Sequence, residues 1–269
     1  MTRISGYVPC FNNAATIVAA ARSLQAQSRA LLEVFVVDDG STDDSVARAE
    51  DAGLRVVRLG ANLGRGAARA RACREAAGDW IVSCDATLVM ASDFVERTAP
   101  HLETGGHAAV IGRVVDPNPQ GLSRRWRARH LLQLDRPQQA RPTNLLSTWG
   151  VVMRADAVAD AGGFDERLRH SEDNELGVRL LKKGWKLFYE PNATLVPQNT
   201  NTLPQLLERY WRWNVGKDEA LSARRYFGQM VYSARSMARR DLQAGDPGAA
   251  LLSLLTPHYF LWRKLRGKK

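Results

Sequence analysis

The sequence predicts an α/β protein: a mostly parallel sheet flanked by helices, with a helical C-terminal extension. Three observations predict it. Short apolar runs alternate with segments of helical period through the first 114 residues, an order that closes as parallel strands joined by right-handed crossovers. Val34 to Val37 are four consecutive apolar residues, which suits a strand buried on both faces. After Leu203 the strand signal ends and only helical period remains.

Residues 4–8 read as the first strand. Residues 14–28 put Ile17, Ala20, Ala21 and Leu24 on one helical face. Residues 33–38 are the second strand, and Ser41, Thr42, Asp43 and Asp44 form a polar helix start after it. Residues 54–59 make a third strand, 64–77 an Ala- and Arg-rich helix, 80–84 the fourth strand and 108–114 a later one. Residues 116–142 are rich in proline and lack a clean period, so they read as a long loop or insertion with a helix near 122–134. Strand character returns at 147–153 and 185–189, and helices are expected at 155–160 and 172–183. The expected division is 1–202, in halves 1–114 and 115–202, and 203–269.

Composition narrows the class. With 269 residues, 45% of them hydrophobic, the chain is an ordinary globular protein and not a disordered tail. Cys10, Cys73 and Cys84 lack any C-x-x-C spacing, which excludes a disulfide scaffold and a thiolate zinc site and fits a reducing cytosol. The first residues lack the apolar run of a signal peptide. Residues 249–262 are too short to span a bilayer and are interrupted by Pro257. The net charge is +10, and residues 203–269 hold 13 Lys/Arg against 5 Asp/Glu. Arg124, Arg125, Arg127 and Arg129 form a second basic cluster. Such patches attract phosphates of nucleic acid, lipid headgroups or nucleotide diphosphates.

Open α/β sheets bind ligands at the carboxyl ends of their strands, and three acidic sites fall there. Asp38 and Asp39 end the second strand before a Gly40 turn; Asp43 and Ser41 suit helix capping, but Asp38 and Asp39 come too early to be caps alone. Asp85 follows the fourth strand, in Ser83-Cys84-Asp85-Ala86-Thr87, where a carboxylate suits a hard cation holding a diphosphate. Glu172, Asp173 and Glu175 crowd one helix start beyond capping needs, so one of them is a candidate general base. The lone His170 beside them reads as structural or exposed. Gly64-Arg65-Gly66 is no dinucleotide fingerprint, because that motif follows the first strand, and no Walker A sequence occurs.

Pro9-x-Phe11-Asn12, Val37-Asp38-Asp39-Gly40-Ser41-Thr42-Asp43, Asn62-x-Gly64 with Ala68-Arg69, and Gly162-Gly163-Phe164-Asp165-Glu166 together resemble the motifs of glycosyltransferase family 2. Glu172-Asp173-x-x-Leu176-Gly177-x-Arg179-Leu180 resembles its acceptor-side motif. The resemblance runs from about residue 4 to about residue 216. It implies the GT-A fold, a Rossmann-like sheet domain that binds a nucleotide sugar, and inversion at the anomeric carbon. Carried over by resemblance, Pro9 lines the nucleoside, Asp39 meets the nucleobase and favours UDP, Asp38 supports that turn and Arg69 lies in the donor site. Asp85 stands as the first Asp of D-x-D, where a divalent cation, Mn²⁺ or Mg²⁺, would hold the diphosphate. Asp173 stands as the base with Glu172 beside it, and Arg212 and Trp213 match the end of a Q-x-x-R-W motif.

The sequence also departs from the family pattern. Thr87 replaces the second Asp of D-x-D, and residues 191–202 contain no His, Gln198 being the nearest substitute. Metal dependence is therefore expected to be weak, absent, or carried by Asp85 and the donor phosphates, with Arg209, Arg212 and Lys217 as cations for the leaving diphosphate. Arg209 falls where the motif has Gln, which argues against a processive synthase. The expected acceptor is a hydroxyl of a glycan or a lipid-linked molecule. Aromatic and basic residues interleave in the last helices, which suits either an anionic membrane surface or packing on a core. The expected location is cytoplasmic, peripheral at the inner face of the cell membrane. The rival reading is a catalytically silent module that binds a nucleotide or a partner. No nucleic-acid-binding motif is present, so no nucleic-acid partner is expected.

Overall fold

The computed structural model describes residues 2–104, 106–136, 138–214 and 222–266, with the side chains of 212–214 outside the description. The chain forms two compact units, Met1–Val115 with Gln138–Asn199, and Asp116–Pro137 with Thr200–Lys269. This differs from the division expected at residue 202, because 116–137 belong with the C-terminal helices.

The first unit contains β1 (Ile4–Cys10), α1 (Ile17–Gln25), β2 (Glu33–Asp38), α2 (Ser45–Asp51), β3 (Arg55–Arg58), α3 (Arg65–Glu75), β4 (Trp80–Cys84), β5 (Leu88–Met90), α4 (Phe94–Thr104) and β6 (His107–Val114). After α5 (Gly121–His130) of the second unit it resumes with β7 (Arg141–Thr143), β8 (Gly150–Arg154), α6 (Ala155–Asp160), α7 (Glu172–Lys182) and β9 (Lys186–Pro197). The sheet order is β3-β2-β1-β4-β8-β6-β9-β5, with β7 also paired to β9. Among the described residues six strands run one way, and β5, β7 and β8 run against them. The sheet is thus mixed and mostly parallel, and α1, α3, α4 and α7 pack on it.

The departure from parallel order that matters for the site is β8, which enters antiparallel between β4 and β6. That insertion brings residues 148 and 149, just before β8, to the carboxyl edge of β4. β9 runs past the expected end at 189 because its pairing with β6 shifts register around Pro191 and resumes at Thr194; its first half also pairs with β7 and its end with β5. Small residues in α3, Ala67, Ala68, Ala70 and Ala72, are buried and let that helix lie close to β1 and β2. Tyr7 and Phe35 stack beneath it with ring centroids 6.3 Å apart.

The second unit joins α5 to α8 (Leu203–Asn214), α9 (Ala223–Tyr232), a π-helical stretch (Ser233–Ala238), α10 (Arg239–Gln243) and α11 (Pro247–Arg266). Its core is Trp126, Leu206, Tyr210, Met237, Ala249, Leu252 and Phe260. The arginine cluster of α5 is not a phosphate patch. Arg124 and Arg127 pair with buried Asp116, Arg125 with Asp246 and Arg129 with buried Asp241. Pro257 does not interrupt α11. Its missing N–H frees the carbonyl of Ser253, which accepts instead from the hydroxyls of Ser233 and Thr256. Among the described residues no helix is long and apolar enough to cross a membrane.

Candidate active site

Three loops meet at the carboxyl edge of the parallel strands. The loop after β1 is tied to the loop after β2. Asn12 holds φ at 53° and accepts through Oδ1 from the Thr42 amide at 2.8 Å, while the Asn12 and Asn13 amides donate to Ser41 Oγ at 3.0 Å and Ser45 Oγ at 2.7 Å. Asp38 accepts from the amides of Gly40 and Ser41 and so closes its own turn. Asp39 reaches across to the loop before α3, taking the Leu63 amide at 2.7 Å, the Gly64 amide at 3.0 Å and Asn62 Nδ2 at 3.2 Å. Burial raises the Asp39 carboxyl above its usual range, against the pull of these amides. Pro9 lies in β1 opposite Val37, one residue before the tied loop.

Gly64 and Gly66 are where the residues before α7 cross the start of α3. The Gly66 amide donates to Leu168 O at 2.9 Å. A Cβ on Gly64, which holds φ at 107°, would lie 2.8 Å from Arg169 Cα, and one on Gly66 would overlap the carbonyl of Asp165. Gly66→Ala is therefore expected to destabilise the chain by about 1–3 kcal/mol, read in a urea titration. An unchanged midpoint would mean that this crossing is loose. Arg169 Nη1 donates to Asn62 O at 3.0 Å, which puts a guanidinium beside the Asp39 turn.

Arg69 is the hub of the site. It is 2% exposed, and its guanidinium donates from Nε to Glu172 Oε1 at 3.0 Å, from Nη1 to Ser83 Oγ at 2.8 Å and Tyr7 OH at 3.2 Å, and from Nη2 to Asp85 Oδ1 at 3.0 Å. Burial pushes the Tyr7 phenol up to about 12, so it stays protonated at Arg69. Ser83 Oγ donates in turn to Thr148 O at 3.3 Å, and the Asp85 amide donates to Trp149 O at 2.9 Å. Thr148 donates from its amide and from Oγ1 to Asp173 Oδ2, each at 3.3 Å. A continuous hydrogen-bonded path thus runs from Asp85 to Asp173.

The two neighbouring acids of α7 have different surroundings. Glu172 is 1% exposed and bound to Arg69, with its Oε2 buried and lacking a hydrogen-bond partner among the described residues. Asp173 is half-buried. Glu175 pairs with Arg179 one turn on. Ser171, which leads into the helix, holds φ at 62°, a conformation that costs a non-glycine residue about 1 kcal/mol or more. His170 Nδ1 lies 3.4 Å from Ser171 Oγ. Of the pair, Asp173 is the one open to solvent, and the Glu172 carboxylate is turned to Arg69.

The described residues around Asp85 do not by themselves complete a divalent site. Asp85 Oδ1 is committed to Arg69, and Thr87 stands where a second carboxylate is needed. Gln198 lies next to Thr87, its amide N–H donating to Thr87 O at 2.9 Å. Its side-chain Nε2 donates to the carbonyls of Thr16 and Leu88, at 3.2 and 3.1 Å. The two departures from the metal pattern are therefore one place in space, a neutral pair locked by the β5–β9 ladder. No group of three or more His, Cys, Asp or Glu with metal-binding geometry occurs among the described residues. The side chains of Arg212 and Trp213, and Lys217, lie outside the described residues.

The family model described as glycosyl transferase family 2 matches residues 5–160. The chain belongs to that family. Over 94% of its length it is 28% identical to an N-acetylglucosaminyltransferase of Azorhizobium caulinodans, of which it covers 68%. It is 30% identical to an N-acetylglucosaminyl-diphospho-decaprenol L-rhamnosyltransferase of Mycobacterium tuberculosis, over 65% of this chain and 69% of that one. It spans about half to two thirds of the length of the curated relatives it matches. Two solved structures share the GT-A fold. Staphylococcus aureus TarS in complex with UDP-GlcNAc gives a TM-score of 0.58 at 18% identity, covering 86% of this chain and 65% of that one. Glucosyl-3-phosphoglycerate synthase of M. tuberculosis, in complex with Mn²⁺, UDP and phosphoglyceric acid, gives 0.54 at 22%, covering 76% and 73%.

Sequence reasoning missed Tyr7, Ser83, Thr148 and Arg169. Tyr7 and Ser83 are alternate polar residues in buried strands, and that alternation was their only signal. Thr148 becomes a neighbour of Asp173 only through the antiparallel entry of β8.

Proposed function

We propose that this chain is an inverting, non-processive transferase that moves a sugar from a nucleotide diphosphate sugar, UDP favoured, to a hydroxyl of a glycan or lipid-linked acceptor. The observation that carries the reading is the path from Asp85 through Arg69, Ser83 and Thr148 to the half-buried Asp173. It joins the edge where a donor diphosphate would lie to a carboxylate able to take the acceptor proton. Asp173 accepts that proton, and the freed oxygen attacks the anomeric carbon from the face opposite the departing nucleotide. Holding both substrates at one edge removes most of the entropic barrier to their encounter. The UDP donor accords with the UDP-GlcNAc and UDP complexes of the two structural neighbours. The lipid-linked acceptor accords with the decaprenol-linked substrate in the name of the mycobacterial relative.

The donor set around Asp85 supports nucleotide binding that survives chelation. Calorimetric titration of UDP, GDP and dTDP, each with Mn²⁺ and with chelator, tests this reading. UDP is expected to bind with a dissociation constant changed less than about threefold by chelator. Binding that requires Mn²⁺ would mean that Asp85 and the phosphates suffice to hold an ion. The neutral Thr87–Gln198 pair also favours the silent module, and nucleotide binding with no transfer to any acceptor and no donor hydrolysis would select it.

A further inference from the structure

The second unit carries an outward apolar face bordered by cations. On α11 the exposed Leu251, Leu254, Leu255, Trp262 and Leu265 recur at helical spacing along one side, Leu251 being 61% and Leu265 75% exposed. α9 is amphipathic yet buries no residue, and its Phe227 is 62% and Val231 51% exposed. Tyr226 OH lies 2.9 Å from Nδ1 of His258, which sits in the middle of the α11 stripe, so α9 meets α11 there. An exposed patch of this kind marks an interaction surface.

Among the described residues, the exposed charges around it that pair with no carboxylate are cations. Asp116, Asp135, Glu208, Asp241 and Asp246, the carboxylates of this unit among the described residues, each pair with an arginine. Arg224, Arg235, Arg239 and Arg266 are exposed and pair with no carboxylate among the described residues. Arg224 and Arg235 bracket Phe227 and Val231 at helical spacing, and the Arg266 guanidinium lies over the Trp262 ring, 4.8 Å from its centroid.

We infer that this face docks on the surface of an anionic lipid bilayer. α9 and α11 lie in the plane of the interface, with the leucines and Phe227 among acyl chains and the arginines at lipid phosphates. A second copy of the chain fits poorly, because a two-fold contact would set these arginines against each other. Nucleic acid would satisfy the cations and leave the leucines in water. Docking of this face needs no acceptor and no donor, so it stands or falls apart from the transferase reading.

Flotation of the full chain with vesicles tests it, using phosphatidylcholine with and without phosphatidylglycerol at low and high salt. The unmodified chain is expected to float with the anionic vesicles and to be released by salt. The triple variant Phe227→Gln, Leu255→Gln, Trp262→Gln is expected to lose at least about tenfold in partition, and Arg224→Gln about fivefold. Leu32→Gln, which changes a leucine of similar exposure on the sheet unit, is expected to keep full binding. No flotation of the unmodified chain with anionic vesicles would overturn the inference. So would equal flotation of the triple variant, or a concentration-dependent dimer that the triple variant abolishes while no vesicle binds.

Discussion

Asp173→Asn is expected to lower turnover by about 10²–10⁴-fold while leaving UDP affinity within about twofold. The substitution is nearly isosteric. The new carboxamide oxygen can still accept from the Thr148 amide and Oγ1, so the link to β8 survives. What is lost is the bond from the Asn174 amide to Oδ1, at the exposed first turn of α7, worth about 1 kcal/mol or less. The folded chain therefore persists, and the Asp39 side chain bonds to residues 62–64 and not to the changed group. Only the ability to take a proton is removed. Measuring UDP binding and sugar transfer on the same preparation separates the outcomes. Full turnover would exclude Asp173 as the base, and a parallel loss of UDP affinity would make it a structural group. Glu172→Gln is expected to behave differently and lose stability first, because that carboxylate is buried against Arg69.

The difference between these two adjacent acids marks the limit of what a sequence can say about such a site. Consecutive helical residues point about 100° apart, so the pattern Glu-Asp announces two carboxylates at one helix start without telling which one turns inward. The same holds for the strands. β2 and β4 match their expected bounds of 33–38 and 80–84 because a strand buried on both faces carries a run of apolar residues, Val34 to Val37 in one and Trp80 to Val82 in the other. The direction of β8 is invisible in its own residues. α4 was not expected because Pro100 lies inside it, although Phe94, Val95, Thr98, Ala99 and Leu102 carry a helical stripe into the core. β5 has three residues, too few for a period, and exists through its ladder with the end of β9. Charge was the least legible feature. Arg124, Arg125, Arg127 and Arg129 look like a solvent patch in sequence, since Asp241 and Asp246 come from a distant segment and nothing local shows that Asp116, just before the helix, turns back onto Arg124 and Arg127. The motifs of the donor edge were legible because they are local turns, such as Asp38 closing on Gly40 and Ser41.

Arg69→Met is expected to cost about 3–5 kcal/mol of stability, a fall in melting temperature of about 10 °C or more. The reason is the carboxylate it would leave behind. Glu172 has a side chain 2% exposed and, among the described residues, one oxygen without a partner and Arg69 as its charge compensation. Asp85 adds less, since its side chain is 37% exposed and water can take over. The double variant Arg69→Met, Glu172→Leu removes the stranded charge and is expected to recover most of the lost stability, because a buried ion pair replaced whole by apolar groups is often neutral. Activity should not return with it. Asp85 would no longer be held at the strand end, and Ser83 would lose the donor that fixes its hydroxyl toward Thr148. Arg69→Lys keeps the charge but cannot reach four groups from one planar fork, so it falls between the parent and Arg69→Met. Thermal melts of the four corners of the cycle, with transfer rates on the same samples, separate stability from positioning. A loss below about 1 kcal/mol for Arg69→Met would mean that water reaches Glu172. Recovery of both stability and turnover in the double variant would mean that the hub supports the fold alone and that Asp85 and Asp173 are oriented by other groups.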